Sequence, residues 1–494
     1  MEAFISIFQL HVLIPWILAM SLGIFVGGIP GLTATMAVAL IVPLTYHMQP
    51  IAGIAMIIGV SFTSIFAGDI PATFLRVPGT PASGAAVLDG YQLNLKGQGS
   101  LAITLDLICS SIGGLVGILI LILIAPALSR FALKFTHFEY FWLGVLGLSM
   151  SAVISKGSRA KGLISMVLGV LFSTIGIDIT TGYPRFAFGN IQLMEGIEFI
   201  PVMIGLFGVS EVLRSIYTMQ DMGGSVFKEK IKLSFSSVGK ILNGNKRLIL
   251  QSSVIGTLIG ALPGAGADIA AWVSYGLAKR TSKNGDEFGE GCVEGVIAPT
   301  SANNAAIGGT WIPALVFGIP GDTITAIVLG AMMMYGLKPG PLVFEGERML
   351  VNQIFSVGLV SQFFVLILGF IGIKSFTWFF RFPRNIVLGG ILIFSVVGSF
   401  AIRNNLFDVG VVLFFGVLGF AMERADMPLA PLILGLILGP MIEENLRIGL
   451  IKTSGSFAAF VTRPISIGLV VILIVMFLWD PIKHLILAKM KKRS

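Results

Sequence analysis

The run from Leu101 to Leu128 carries a single formal charge, Asp106, in an otherwise apolar or small-residue stretch long enough to cross a bilayer. A hydrocarbon core of about 30 Å is spanned by roughly 20 apolar residues in a helix. At that depth every backbone N–H and C=O must be satisfied internally, which restricts a spanning segment to a helix or a closed barrel. Stretches of the same character recur at Leu143 to Ile154, Val202 to Leu213, Ile354 to Ile373 and Ile465 to Trp479. Together with shorter apolar pieces they predict on the order of a dozen crossings or re-entrant segments. Charged residues make up 12% of the chain, against about one in four in soluble domains. The sequence therefore reads as an all-α, polytopic integral membrane protein.

Several functional classes drop out at once. Cys109 and Cys292 are too few and too far apart for a disulfide framework or a Cys-rich metal site. His11, His47, His137 and His484 have no metal-ligand spacing, and no HExxH is present. No nucleophile–base constellation suggests an enzyme. The N-terminal MEAFISIFQL lacks a basic n-region and a small-residue cleavage pattern, so the first apolar stretch is expected to be a retained helix. The net charge of +8 is uneven: Lys228, Lys230, Lys232, Lys240, Lys246 and Arg247 share one polar stretch, and the chain ends KMKKRS. Both are expected on the cytoplasmic side, against anionic lipid headgroups. A nucleic-acid partner would need a basic recognition fold, which neither offers.

The chain also contains itself twice. GIFVGGIPGLTATMAVALIVPLTY from Gly23 aligns with GTLIGALPGAGADIAAWVSYGLAK from Gly256, at an offset of 233 residues from Pro30 to Pro263. IPATFLRVPGT from Ile70 aligns with IPALVFGIPGD from Ile312, at an offset of 242 from Pro78 to Pro320. EVLR at Glu211 to Arg214 then matches ENLR at Glu444 to Arg447. These markers divide the chain into a first repeat over 1–222, a basic cytoplasmic linker over 223–247, a second repeat over 248–458, and a C-terminal helix with a basic tail over 459–494. The N-terminal end carries no Lys or Arg whereas the linker is basic. An odd number of crossings in the first half, and hence two inverted-topology repeats, is the expected arrangement.

Each repeat holds two Pro-Gly breaks: Pro30-Gly31 and Pro78-Gly79 in the first, Pro263-Gly264 and Pro320-Gly321 in the second. Proline removes an N–H and glycine admits unusual backbone angles, so each break can end one helical piece and start another. One such break is commonly a kink; four at matching positions predict a substrate site near the midplane. Irregular backbone at that depth must line a cavity or lie buried in protein. The N–H groups at half-helix starts favour an anion. Thr33, Thr35, Thr80 and Ser83 follow the first two breaks, and Ser301, Asn303 and Asn304 precede the fourth, as candidates to bond substrate oxygens. The two asparagines serve equally well as interhelical hydrogen-bonding groups. Asp69, Asp268, Asp322 and Thr323 are candidates for a hard cation such as sodium. Arg76 is the candidate to attract an anionic substrate, with Asp69 as its alternative neutralising partner. Asp106 fits either the span or its interface.

At these residues the sequence resembles the large membrane subunit of the tripartite tricarboxylate transporters, the TctA family, over nearly the whole chain. The stretches that carry the resemblance are GGIPGLTATMAVALIVPLTY, VPGTPASGAAVLDGYQLNLKGQG, LPGAGADIAAWVSYGLAKR, and the segment from FGEGCVEGVIAPTSANNAAIGG to GLKPGPLVF. The resemblance implies import of a carboxylate coupled to a cation, usually sodium, across a bacterial cytoplasmic membrane. It also implies two partners, a periplasmic solute-binding protein and a small four-helix membrane subunit. It carries over to Pro30, Gly31, Pro78, Gly79, Pro263, Gly264, Asn303, Asn304, Pro320 and Gly321. The chain departs from the family pattern at Thr300, commonly acidic, at Ala67-Gly68, commonly Gly-Gly, and at Arg76, commonly Asn. A stand-alone exchanger or exporter is the competing reading, and a homodimer is compatible with the sequence.

Overall fold

Membrane helices gain little from burying apolar surface against one another, so they associate where small residues let backbones approach. The glycines of this chain mark those places. The computed structural model describes residues 2–154, 158–178, 181–217, 235–379 and 384–491. Lys228, Lys230 and Lys232 of the expected linker, and residues 492–494 of the basic tail, lie outside them.

Among the described residues seven helices are long and apolar enough to cross a membrane: Leu10–Gly28, Pro50–Leu75, Gly99–Ala132, Phe199–Tyr217, Arg348–Ser375, Leu406–Arg424 and Leu429–Lys452. Ala34–Thr45 and Thr323–Met334 are shorter apolar helices, and Leu388–Arg403 and Pro464–Leu478 are the apolar parts of the helices Arg384–Arg403 and Pro464–Lys491. The roughly dozen crossings or re-entrant segments expected from the sequence take in both the full spans and such shorter pieces.

The helix Pro50–Ala67 and the helix Val293–Phe317 form the centre; every residue from Gly295 to Val316 is buried. Leu10–Gly28 packs on the first of these, and Gly99–Ala132 and Lys246–Gly260 on the second. A Cβ added at Gly23 would lie 2.9 Å from the Val60 carbonyl oxygen, and one at Gly27 2.2 Å from that of Ser64. Their sequence partners Gly256 and Gly260 meet the carbonyls of Ala302 and Ala306 in the same way, at 2.3 and 2.2 Å. Gly113 and Gly117 likewise seat the long Gly99–Ala132 helix on the carbonyls of Ser301 and Ala305, so elements of the two sequence halves interlock at the core.

One small element departs from an all-helical reading. Gly176–Ile177 pairs antiparallel with Pro184–Arg185, Gly176 opposite Arg185. Ion pairs hold this hairpin to the Leu429–Lys452 helix, Arg447 to Asp178 at 2.8 Å and Arg185 to Glu443 at 2.6 Å.

Candidate functional site

The first break ends the Leu10–Gly28 helix, and Gly31 turns the chain at φ +89°. Thr33 then caps Ala34–Thr45, its hydroxyl accepting the Met36 N–H at 3.1 Å. The third break repeats this with Gly264 at φ +83°, before the helix Gly266–Thr281 starts without a side-chain cap. Positive φ at the two matched positions is the conformation a Cβ resists. The fourth break follows Gly318 at φ +69°. There Asp322 accepts the Thr325 N–H at 2.8 Å while the Thr325 hydroxyl accepts the Asp322 N–H at 3.0 Å, a capping box that starts Thr323–Met334.

The breaks are tied together by backbone. Gly264 N–H donates to the Gly321 carbonyl at 2.8 Å, and Gly79 N–H to that of Gly68 at 3.0 Å. A Cβ at Gly79 would stand 2.3 Å from the Gly27 carbonyl oxygen, and one at Gly321 2.7 Å from that of Gly260. Glycine at both positions is therefore a matter of space.

All four breaks reach one cavity of about 290 Å³. Thr33 and Thr35 come from the first, Thr80 and Pro81 from the second, Gly264 to Asp268 from the third, and Asp322 to Ile324 from the fourth. The N-termini of three helices, Ala34–Thr45, Gly266–Thr281 and Thr323–Met334, open onto it. Their first N–H groups lack intrahelical partners and carry the positive end of the helix dipole. Thr35 and Thr323, from opposite halves, share a hydrogen bond at 2.8 Å across this space.

Among the described residues lining the cavity, Arg214 is the only cation, and Glu211, Glu423, Asp268 and Asp322 are the carboxylates. Its Nη2 donates to Glu211 at 2.6 Å and to the Gly31 carbonyl at 3.5 Å. Arg214 and Ser210 follow a π-helical turn over Ile204–Val209 that also brings Leu206 and Phe207 to the wall; such turns recur at functional sites. Arg214 was visible in the sequence only as part of the EVLR repeat marker. Charged residues at the end of an apolar run, at a position matched in both halves, were the signal for it.

The remaining candidates separate into groups. Pro30, Pro263 and Pro320 shape the breaks behind the wall, Gly79 and Gly321 are buried at the close approaches, and Pro78 is exposed. Arg76 is also exposed, in the left-handed region at φ 60°, with its guanidinium 5.7 Å from the centre of the Tyr91 ring. The structure brings it neither to the cavity nor into an ion pair with Asp69. Asp69, Ser301, Asn303 and Asn304 are fully buried away from the cavity wall, with Asp106 alongside. Thr300 turns its hydroxyl back onto the Val296 carbonyl at 2.8 Å. Among the described residues no group of three or more His, Cys, Asp or Glu is disposed to hold a metal ion.

The sequence reading also missed Asp89. This buried carboxylate accepts the N–H groups of Gly289, Gly291 and Cys292 at 2.9, 2.9 and 2.7 Å and the Tyr275 hydroxyl at 2.9 Å, pinning the turn before the central helix Val293–Phe317.

The model of one protein family, described as the tripartite tricarboxylate transporter TctA family, matches residues 13–434. An uncharacterized 52.8 kDa protein from the TAR-I ttuC' 3' region of Agrobacterium vitis is 35% identical over 452 residues, covering 91% of this chain and 89% of its own length. A second uncharacterized protein, from the TAR-II ttuC' 3' region of the same organism, is 38% identical over 214 residues, 43% of this chain and 88% of its own. No solved structure matches.

Proposed function

Because the chain belongs to the tripartite tricarboxylate transporter TctA family, and is thus a multi-pass membrane transport protein and not an enzyme, we propose that it is the large permease subunit of a binding-protein-dependent secondary transporter. Its substrate is an organic di- or tricarboxylate, imported by cation symport with sodium as the coupling ion. The observation that carries this reading is the convergence of three helix N-termini and Arg214 on one cavity. N-terminal amides and a guanidinium fork are the groups that hold carboxylates. A cavity of about 290 Å³ is at the small end of ligand sites, which start at roughly 300 Å³, and suits a small acid.

Cation coupling draws support from charge. Among the described residues four carboxylates and one guanidinium line the cavity, so an anion entering without compensating cations would meet net repulsion. The two halves are inverted repeats that rock or slide against each other around the site. The recurrence of the Gly23 and Gly27 contacts at Gly256 and Gly260, together with the basic stretch between the halves, supports that arrangement. The partners are a periplasmic solute-binding protein and a small four-helix membrane subunit. The setting is the bacterial cytoplasmic membrane, with the C-terminus inside.

Uptake of labelled mono-, di- and tricarboxylates into vesicles tests this, with and without a sodium gradient, the small subunit and the binding protein. Accumulation that requires all three establishes the symporter and names its substrate. Sodium-independent flux through the chain alone would overturn it in favour of an exchanger or channel.

A further inference from the structure

Behind the cavity, a second polar cluster lies wholly inside the protein. Asp69, Asp106, Ser301, Asn303 and Asn304 are each 0% exposed. Asp69 Oδ1, Asp106 Oδ1, Asn303 Oδ1, Asn304 Oδ1 and Nδ2, and Ser301 Oγ have no hydrogen-bond partner. Contacts between three helices bring Asp69, Asp106, Ser301 and Asn303 together, and Asn304 stands one turn beyond Ser301 on the same helix. Asn303 Nδ2 donates to Asp69 Oδ2 at 3.5 Å, and Thr73, one turn beyond Asp69, donates to Asp106 Oδ2 at 3.2 Å. Cys109, one turn beyond Asp106, neighbours Ser301. Gly113 brings that helix so close to Ser301 that a Cβ would stand 2.1 Å from its carbonyl oxygen.

Buried, unpartnered oxygens are costly, and two carboxylates without a counter-charge are more so. Among the described residues no Lys, Arg or His pairs with either. Five of these six unpartnered atoms are oxygens, two of them from carboxylates, and five such oxygens are the donor set of a hard cation. We propose that Asp69 and Asp106, with the side-chain oxygens of Ser301, Asn303 and Asn304, bind a sodium-class monovalent cation at a site separate from the substrate cavity. The inference rests on the cation-coupled reading above and gives it a place.

The structure also supplies the link between the two sites. Thr80 lines the cavity, its hydroxyl is 3.0 Å from that of Ser83, and Ser83 faces the Asp69 carboxylate. The Gly79 N–H ties the same break to Gly68, immediately before Asp69. A cation held by Asp69 orders the break that supplies Thr80 and Pro81 to the cavity wall. Cation binding thereby prepares the wall for the anion, and by linkage the anion favours the cation equally.

The test is thermal unfolding of the purified full-length chain in detergent, without any carboxylate, as sodium chloride replaces choline chloride at constant ionic strength. A ligand that binds the folded state raises the midpoint with its concentration, so the wild type is expected to gain stability in sodium. Asp106→Asn and Asn304→Ala are expected to weaken the apparent sodium affinity by at least the roughly 10- to 100-fold lost when a metal site loses an outer partner. Thr281→Val, at the exposed end of the Gly266–Thr281 helix and outside both sites, keeps the response. No sodium response in the wild type, or an unchanged one in both site variants, overturns the proposal. So does a wild type that responds to falling pH but not to sodium, which would make the pair a proton site. If Asp106→Asn does not fold, Asn304→Ala and Ser301→Ala carry the test. A sodium response that survives alongside failed carboxylate uptake sinks the substrate reading and leaves this site standing.

Discussion

Replacing Arg214 by Gln removes the only cation among the described residues of the cavity wall while leaving a shorter, neutral side chain that can still donate hydrogen bonds. The guanidinium side chain is 42% exposed and bonded to Glu211 at 2.6 Å. A hydrogen bond to a charged group is worth about 1.5–3 kcal/mol, and this degree of exposure holds each bond near the lower end. One bond of about 1.5 kcal/mol corresponds to roughly tenfold in affinity, and a bidentate pair to roughly a hundredfold. Arg214→Gln is therefore expected to raise the KM for carboxylate uptake by roughly 10- to 100-fold, with Arg214→Lys in between because it keeps charge but not the fork. The partner variant separates two roles. If Arg214 binds substrate, Glu211→Gln removes a competing acceptor and leaves KM the same or lower. If Arg214 serves only to neutralise Glu211, both variants damage transport alike. Uptake kinetics in proteoliposomes, with size-exclusion chromatography to establish folding, read the difference. A folded Arg214→Gln protein whose KM stays within about twofold of wild type, less than ~0.5 kcal/mol, would refute the argument.

Three other perturbations follow from the geometry. Gly79→Ala places a Cβ 2.3 Å from the Gly27 carbonyl oxygen, which forces the second break out of place. A displacement of about 1 Å costs on the order of a hundredfold in a positioned site, so uptake should collapse while the protein still reaches the membrane. Asp89→Ala strands three backbone N–H groups and the Tyr275 hydroxyl; a loss of roughly 3 kcal/mol or more is expected. Asp89→Asn is milder because its carbonyl still accepts from the amides, and midpoints of thermal unfolding in detergent would rank the two. Thr35→Val breaks the 2.8 Å hydroxyl pair with Thr323 that joins the halves. About 1 kcal/mol is at stake, a few-fold change in uptake, and Thr323→Val together with Thr35→Val should cost little more than either alone.

Much of this protein was legible from local chemistry. Apolar run length fixes which segments enter a membrane, because the bilayer sets one length and forbids unsatisfied backbone within it. Pro-Gly pairs at matched offsets marked the four breaks, since loss of an N–H and freedom of φ are properties of the residues themselves. Thr33, Thr35, Thr80, Asp268, Asp322 and Thr323, chosen for lying beside those breaks, all line the cavity. What sequence could not determine was direction and depth. Arg76 and Arg214 are both charges beside apolar runs, yet one turns outward at a left-handed residue and the other inward from a π-helical turn. Asp106 and Asp69 are separated in sequence by one break, and only the seating of Gly113 on Ser301 and of Thr73 beside Asp106 brings them to one buried cluster. Those outcomes depend on which glycines meet which carbonyls across helices, a property of packing between distant segments that no single run of residues contains.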